Sequence, residues 1–172
     1  MEYRLGLIFS LAVGFAVGIL VVVTLFRKKV LDCTFDERQE RARGVAFKYG
    51  FFTLMIAMAV YGATEIAVGR WCDAMAGCVI CITLGMAVFA ITCILKDAYL
   101  SLKEKPRYVM TLFVLLSVFN LGLGVIQLRD GDVVENGILT FRCTNLLVGG
   151  MILVILAVYA VNFSLDRREE TE

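Results

Sequence analysis

Apolar residues run along this chain in five long blocks, at 5–26, 45–68, 74–95, 109–128 and 146–163, with charged or turn-forming residues between them. Each block is close to the ~20 residues that a helix needs to cross ~30 Å of hydrocarbon. None alternates between polar and apolar positions as a barrel strand does. In lipid the backbone must satisfy its polar groups within its own segment, so the pattern predicts an all-α integral membrane bundle of five transmembrane helices. The blocks and their connections occupy residues 1–172, which predicts a single transmembrane domain without a separate soluble one. Composition agrees, because 60% of residues are hydrophobic and 19% charged, against ~45–50% and ~25% in soluble domains.

Charge sets an expected orientation. With the N-terminus outside, thirteen of the 17 Lys and Arg residues face the cytoplasm: Arg27, Lys28, Lys29, Arg38, Arg41, Arg43 and Lys48 in the first loop, Lys96, Lys103, Lys105 and Arg107 in the third, and Arg167 and Arg168 in the tail. Arg4, Arg70, Arg129 and Arg142 are left outside, so the excess of basic residues within predicts N-out and C-in. The first block is not a cleavable signal peptide by this reading. Signal peptides carry their positive charge before a short apolar core, whereas Arg27, Lys28 and Lys29 follow a core of 22 residues.

Small residues recur every fourth position in the first block, at Gly6, Ser10, Gly14 and Gly18. Such a ridge lets another helix approach closely, either within the chain or in a homo-oligomer. After that block, Thr34 and Glu37 fit a capping box. Glu37 with Arg41, and Glu40 with Arg43, have spacings that face each other on a helical surface. These signals predict a helix from about Phe35 that runs unbroken into the second span and projects into the cytoplasm. Phe47, Tyr49, Phe51 and Phe52 form an expected aromatic belt at the inner interface, and Trp71 marks the outer one.

The run Asp36, Glu37, Arg38, Gln39, followed by Arg43, Gly44, Phe47, Lys48 and Tyr49, resembles a segment of small uncharacterised bacterial multi-pass membrane proteins. The run Lys96, Asp97, Ala98, Tyr99 resembles a second piece of the same pattern. The resemblance covers only the inner loops. It implies a bacterial inner-membrane protein and supplies no catalytic or binding residues.

The inner loops offer two roles for their charge. Basic residues near the surface attract anionic lipid, and Arg38, Arg41 and Arg43 are candidates for docking a cytosolic or membrane protein partner. The chain has no histidine, which removes the commonest general base and the Ser/His/Asp triad. No phosphate-binding glycine loop is present either. The expectation is a protein that is not an enzyme, takes no cofactor or metal, and does not bind nucleic acid.

Of the six cysteines, Cys78 and Cys81 read as packing residues, and Cys33 and Cys93 lie towards the reducing side. Cys72 and Cys143 both fall in predicted outer segments and are a candidate disulfide. Asp130-Gly131 and Asn136-Gly137 are turn signals on either side of Val133 and Val134, and predict a hairpin or lid. Polar residues in the spans point to an alternative role as a small oligomeric transporter or channel, with Glu65 and Asn120 as solute-site candidates beside Gly122 and Gly124. The favoured reading is a non-enzymatic membrane interaction or accessory protein.

Overall fold

Four helices, each long and apolar enough to cross a membrane, dominate the described residues of the computed structural model: Leu20, Val23, 34–102, Glu104 and 106–169. Apart from Leu20 and Val23, the first apolar block, with Gly6, Ser10, Gly14 and Gly18, lies outside these residues. The chain divides into two units, Met1–Thr34 and Phe35–Glu172, and the elements described below belong to the second.

Helix α1 spans Glu37–Val68. At 1.5 Å per residue its 32 residues extend ~48 Å, well beyond the ~30 Å of a hydrocarbon layer. It therefore carries a polar head, as the sequence predicts. The cap differs from expectation, because the capping residue is Asp36: its Oδ1 accepts from the Gln39 backbone N–H at 2.6 Å, and Gln39 Oε1 accepts from the Asp36 N–H at 3.3 Å. A carboxylate at this position also meets the positive end of the helix dipole. The helix stops at Gly69, whose φ of 87° ends the helical backbone.

Helix α2 spans Ala74–Leu95, the same residues as the third apolar block. It ends in a Schellman turn: the Ala98 N–H donates to the Cys93 carbonyl at 2.8 Å and the Asp97 N–H to that of Ile94 at 3.0 Å. Helix α3, Pro106–Arg129, begins with proline at its first position, where the missing N–H is no loss. Helix α4 spans Thr144–Glu169.

Between α3 and α4, strands β1 (Val134–Glu135) and β2 (Ile138–Leu139) pair antiparallel across Asn136-Gly137. Both turn residues have positive φ, 52° and 78°, as a tight two-residue hairpin turn requires. The hairpin is fastened to the start of α2. Asp73 N–H donates to the Leu139 carbonyl at 2.8 Å, and Leu139 N–H to that of Trp71 at 3.0 Å. Val133, Cys72, Ala76 and Cys143 form a buried cluster beneath it.

The expected Cys72–Cys143 bridge is not present; both are buried thiols in that cluster. Cys72 forms an isolated bridge with Leu139, and Cys143 ends a short 3₁₀ helix, Phe141–Cys143.

Packing runs α1 on α2, α2 on α4, and α4 on α3. Small residues decide the closest approaches. A Cβ on Gly50 would lie 2.9 Å from the Gly85 carbonyl oxygen, so α1 and α2 touch backbone to backbone. On α2 the buried Gly77, Cys81 and Gly85 recur every fourth position and form a ridge of the small-xxx-small kind. On α4, Gly149 receives the Leu121 side chain of α3, and the Ser117 hydroxyl donates to the Gly149 carbonyl at 3.1 Å. Ala90, Ile94 and Ile155 close the core where α2 meets α4.

Candidate partner-docking face

The polar head of α1 and the turn after α2 form one connected unit. Gln39 and Arg43 are four residues apart and share a helix face. Gln39 Nε2 donates to the carbonyls of Asp97 at 3.0 Å and Leu100 at 3.3 Å. Arg43 Nη1 donates to the Ala98 carbonyl at 3.1 Å. Its guanidinium carbon also lies 4.1 Å from the centroid of the Phe35 ring and 5.6 Å from that of Phe89, both within cation–π range. The two runs that carry the sequence resemblance, around residues 36–43 and 96–99, are thus in direct contact.

The three arginines expected to act together therefore have different roles. Arg43 is half-buried and engaged within the fold, which removes it from an exposed docking set. Arg38 and Arg41 are exposed. Arg38 lies 3.6 Å from Asp97 and Arg41 2.8 Å from Glu37. Their side chains are 77% and 78% accessible, so pairs of this kind contribute only ~0–1 kcal/mol and release their charges readily to a partner. At 100° per residue, Arg41 projects on the side of α1 away from Arg43.

Asp97 is the strained member of the unit, with a φ of 53°. Such a backbone suits glycine and costs an ordinary residue ~1–2 kcal/mol, although aspartate visits it more readily than most. Its main chain is held by both the Schellman turn and Gln39. Beside it, Tyr99 is half-buried against the α2–α4 core, and burial above all pushes its phenol up to about 12, with nearby Cys93 and Glu104 adding to the shift. A cleft of about 300 Å³ opens here, lined by Gln39, Asp97, Tyr99, Ser101, Tyr159 and Asn162 among others.

The solute-site candidates are placed differently. Asn120 turns back on its own helix and donates to the Leu116 carbonyl at 2.8 Å. Glu65 belongs to the last turn of α1, close to Tyr61 near the hairpin end. Among the described residues, Asn145 joins α4 to α3 by donating to Gln127 Oε1 at 3.0 Å, and a buried polar contact between the same helices is made by Ser117, which the sequence reading passed over because a lone serine in an apolar run is common. Among the described residues, no group of three or more Cys, Asp or Glu is arranged to hold a metal ion.

No protein-family model matches this chain, and no curated protein or solved structure is significantly similar to it.

Proposed function

We propose that this chain is a non-enzymatic accessory protein of a bacterial cytoplasmic membrane, which docks a cytosolic or membrane partner through the exposed side of the α1 head. The end that carries Arg38 and Arg41 faces the cytoplasm in this reading. The distribution of thirteen basic residues against four supports that orientation.

One observation carries the docking role. Gln39 and Arg43 tie the head of α1 to the 97–100 turn, so Arg38 and Arg41 stand on a fixed helix beyond the apolar span. Such preorganisation lowers the ordering cost of association. Exposed arginines on a rigid helix match a partner with carboxylates at complementary spacing, in the planar two-point geometry that guanidinium favours.

The test is affinity purification after in-cell crosslinking, comparing the natural chain with Arg38→Glu/Arg41→Glu and keeping Arg43 intact so that the fold is preserved. A stoichiometric partner recovered with the natural chain and lost from the double variant is the expected result. Equal recovery of the same proteins from both samples contradicts the docking role.

A further inference from the structure

At the same end of the bundle, the first turns of α3 carry an arginine with a different environment. Of the four arginines at this end whose side chains are described, Arg38 and Arg41 pair with carboxylates and Arg43 bonds to Ala98. Arg107 makes no ion pair or side-chain hydrogen bond among the described residues, and it is exposed. Two grooves of about 510 Å³ each meet at Arg107 and Tyr108. One is closed by Pro106 and by Phe163 of α4, and the other continues along α3 over Thr111, Leu112 and Leu115.

Along the second groove the Thr111 hydroxyl is already engaged, because it donates to the Arg107 carbonyl at 2.8 Å. Beyond that the groove is apolar. From Arg107 to Leu115 is eight residues, or ~12 Å along the axis, close to the ~15 Å depth of one leaflet. The Tyr108 ring, 82% exposed, stands between the two grooves. A cation at the mouth of one apolar channel that runs ~12 Å along α3, with a second apolar groove beside Pro106 and Phe163 on the other side of Tyr108, complements an amphiphile with one anionic head and two chains.

We propose that Arg107, Tyr108, Leu112, Leu115 and Phe163 form a site for one anionic two-chain phospholipid, with its phosphodiester on the Arg107 guanidinium and an acyl chain on each side of Tyr108. Guanidinium offers a phosphate two parallel N–H donors, which a lysine does not. The exposed tyrosine sits at headgroup depth, where its ring is apolar and its hydroxyl wet. This inference rests on the membrane-spanning reading but not on the docking role.

Native mass spectrometry of the full chain in detergent micelles provides the test, with phosphatidylglycerol and phosphatidylcholine of matched chains as probes. Phosphatidylglycerol should be retained as a single adduct about fivefold more tightly than phosphatidylcholine, the preference that one basic residue near a headgroup supports. Arg107→Gln should bring the two lipids to equal affinity with an unchanged melting profile, and Leu112→Trp, which obstructs one channel, should weaken phosphatidylglycerol binding. Glycerol 3-phosphate, which has the anionic group without chains, should not bind. Equal affinities in the natural chain, a preference that survives Arg107→Gln, or tight binding of glycerol 3-phosphate would each overturn the site. A chain that does not partition into membranes would instead refute the spanning reading on which the site rests.

Discussion

Replacing Arg43 should unfasten the α1 head more than replacing any other arginine there. Arg43→Ala removes a charged donor from the Ala98 carbonyl and a cation from between two aromatic rings. A hydrogen bond with a charged partner contributes ~1.5–3 kcal/mol, and a cation–π contact ~0.5–2 kcal/mol. Ala98 is fully buried, so its carbonyl loses its side-chain partner out of reach of bulk water. Because these contributions overlap, a loss of ~2–4 kcal/mol is expected rather than their full sum. Arg43→Lys should fall between, since an ammonium keeps the charge but not the planar fork. Arg41→Ala should cost no more than ~0.5 kcal/mol, because its pair with Glu37 is exposed on both sides. Cys93 reports on the junction directly: it is fully buried, and its carbonyl accepts the Ala98 N–H. Maleimide labelling of Cys93 during SDS titration of micelle-bound protein should show Arg43→Ala opening at clearly lower denaturant than Arg41→Ala. Equal midpoints for the two variants would refute the fastening role of Arg43.

Three further outcomes follow from the same geometry. Gly50→Ala sets a methyl 2.9 Å from the Gly85 carbonyl oxygen and should destabilise the α1–α2 contact by ~1–3 kcal/mol, whereas Gly62→Ala, with nothing within 4 Å, should be neutral or slightly stabilising in the same SDS titration. Asp97→Gly keeps every main-chain bond of the turn and relieves its left-handed backbone, so it should raise stability by ~1 kcal/mol despite loss of the exposed pair with Arg38. Tyr99, with its phenol raised from 10 to about 12 by burial, stays protonated in the fold after the unfolded chain has begun to ionise. Stability from this group is therefore intact below pH 10 and lost as pH rises towards 12, and Tyr99→Phe should remove that part of the alkaline decline in stability against pH.

Much of the helical architecture was legible in the sequence, because the demand for apolar length is written directly in residue order. The third apolar block and α2 coincide at Ala74 and Leu95, and Asn136-Gly137 announced its turn through the two residues that tolerate positive φ. The N-cap was harder to read. Thr34 with Glu37 and Asp36 with Gln39 both satisfy the spacing rule, and Gln39 decides between them because its amide also reaches the 97–100 turn.

The candidate site was only half visible for a similar reason. Arg43 reads as one of three clustered charges until its partner appears, and that partner is a main-chain carbonyl 55 residues away that has no side-chain signature. The ridge of Gly77, Cys81 and Gly85 did carry the four-residue signal, but a cysteine in the middle position disguised it. Asn120 shows the converse: a polar residue at mid-span invites a functional role, yet its amide donates to the Leu116 carbonyl of its own helix.

The most direct measurement is cysteine accessibility in intact cells, made at the two ends of the bundle. Glu40→Cys on the α1 head and Asn136→Cys at the hairpin tip are both exposed positions, introduced singly into a background in which Cys33 and Cys78 are alanine. A membrane-impermeant maleimide should label Asn136→Cys at once and Glu40→Cys only after the membrane is permeabilised. Labelling of both in intact cells would contradict a chain that crosses the membrane between these ends, and the reverse pattern would contradict a cytoplasmic α1 head.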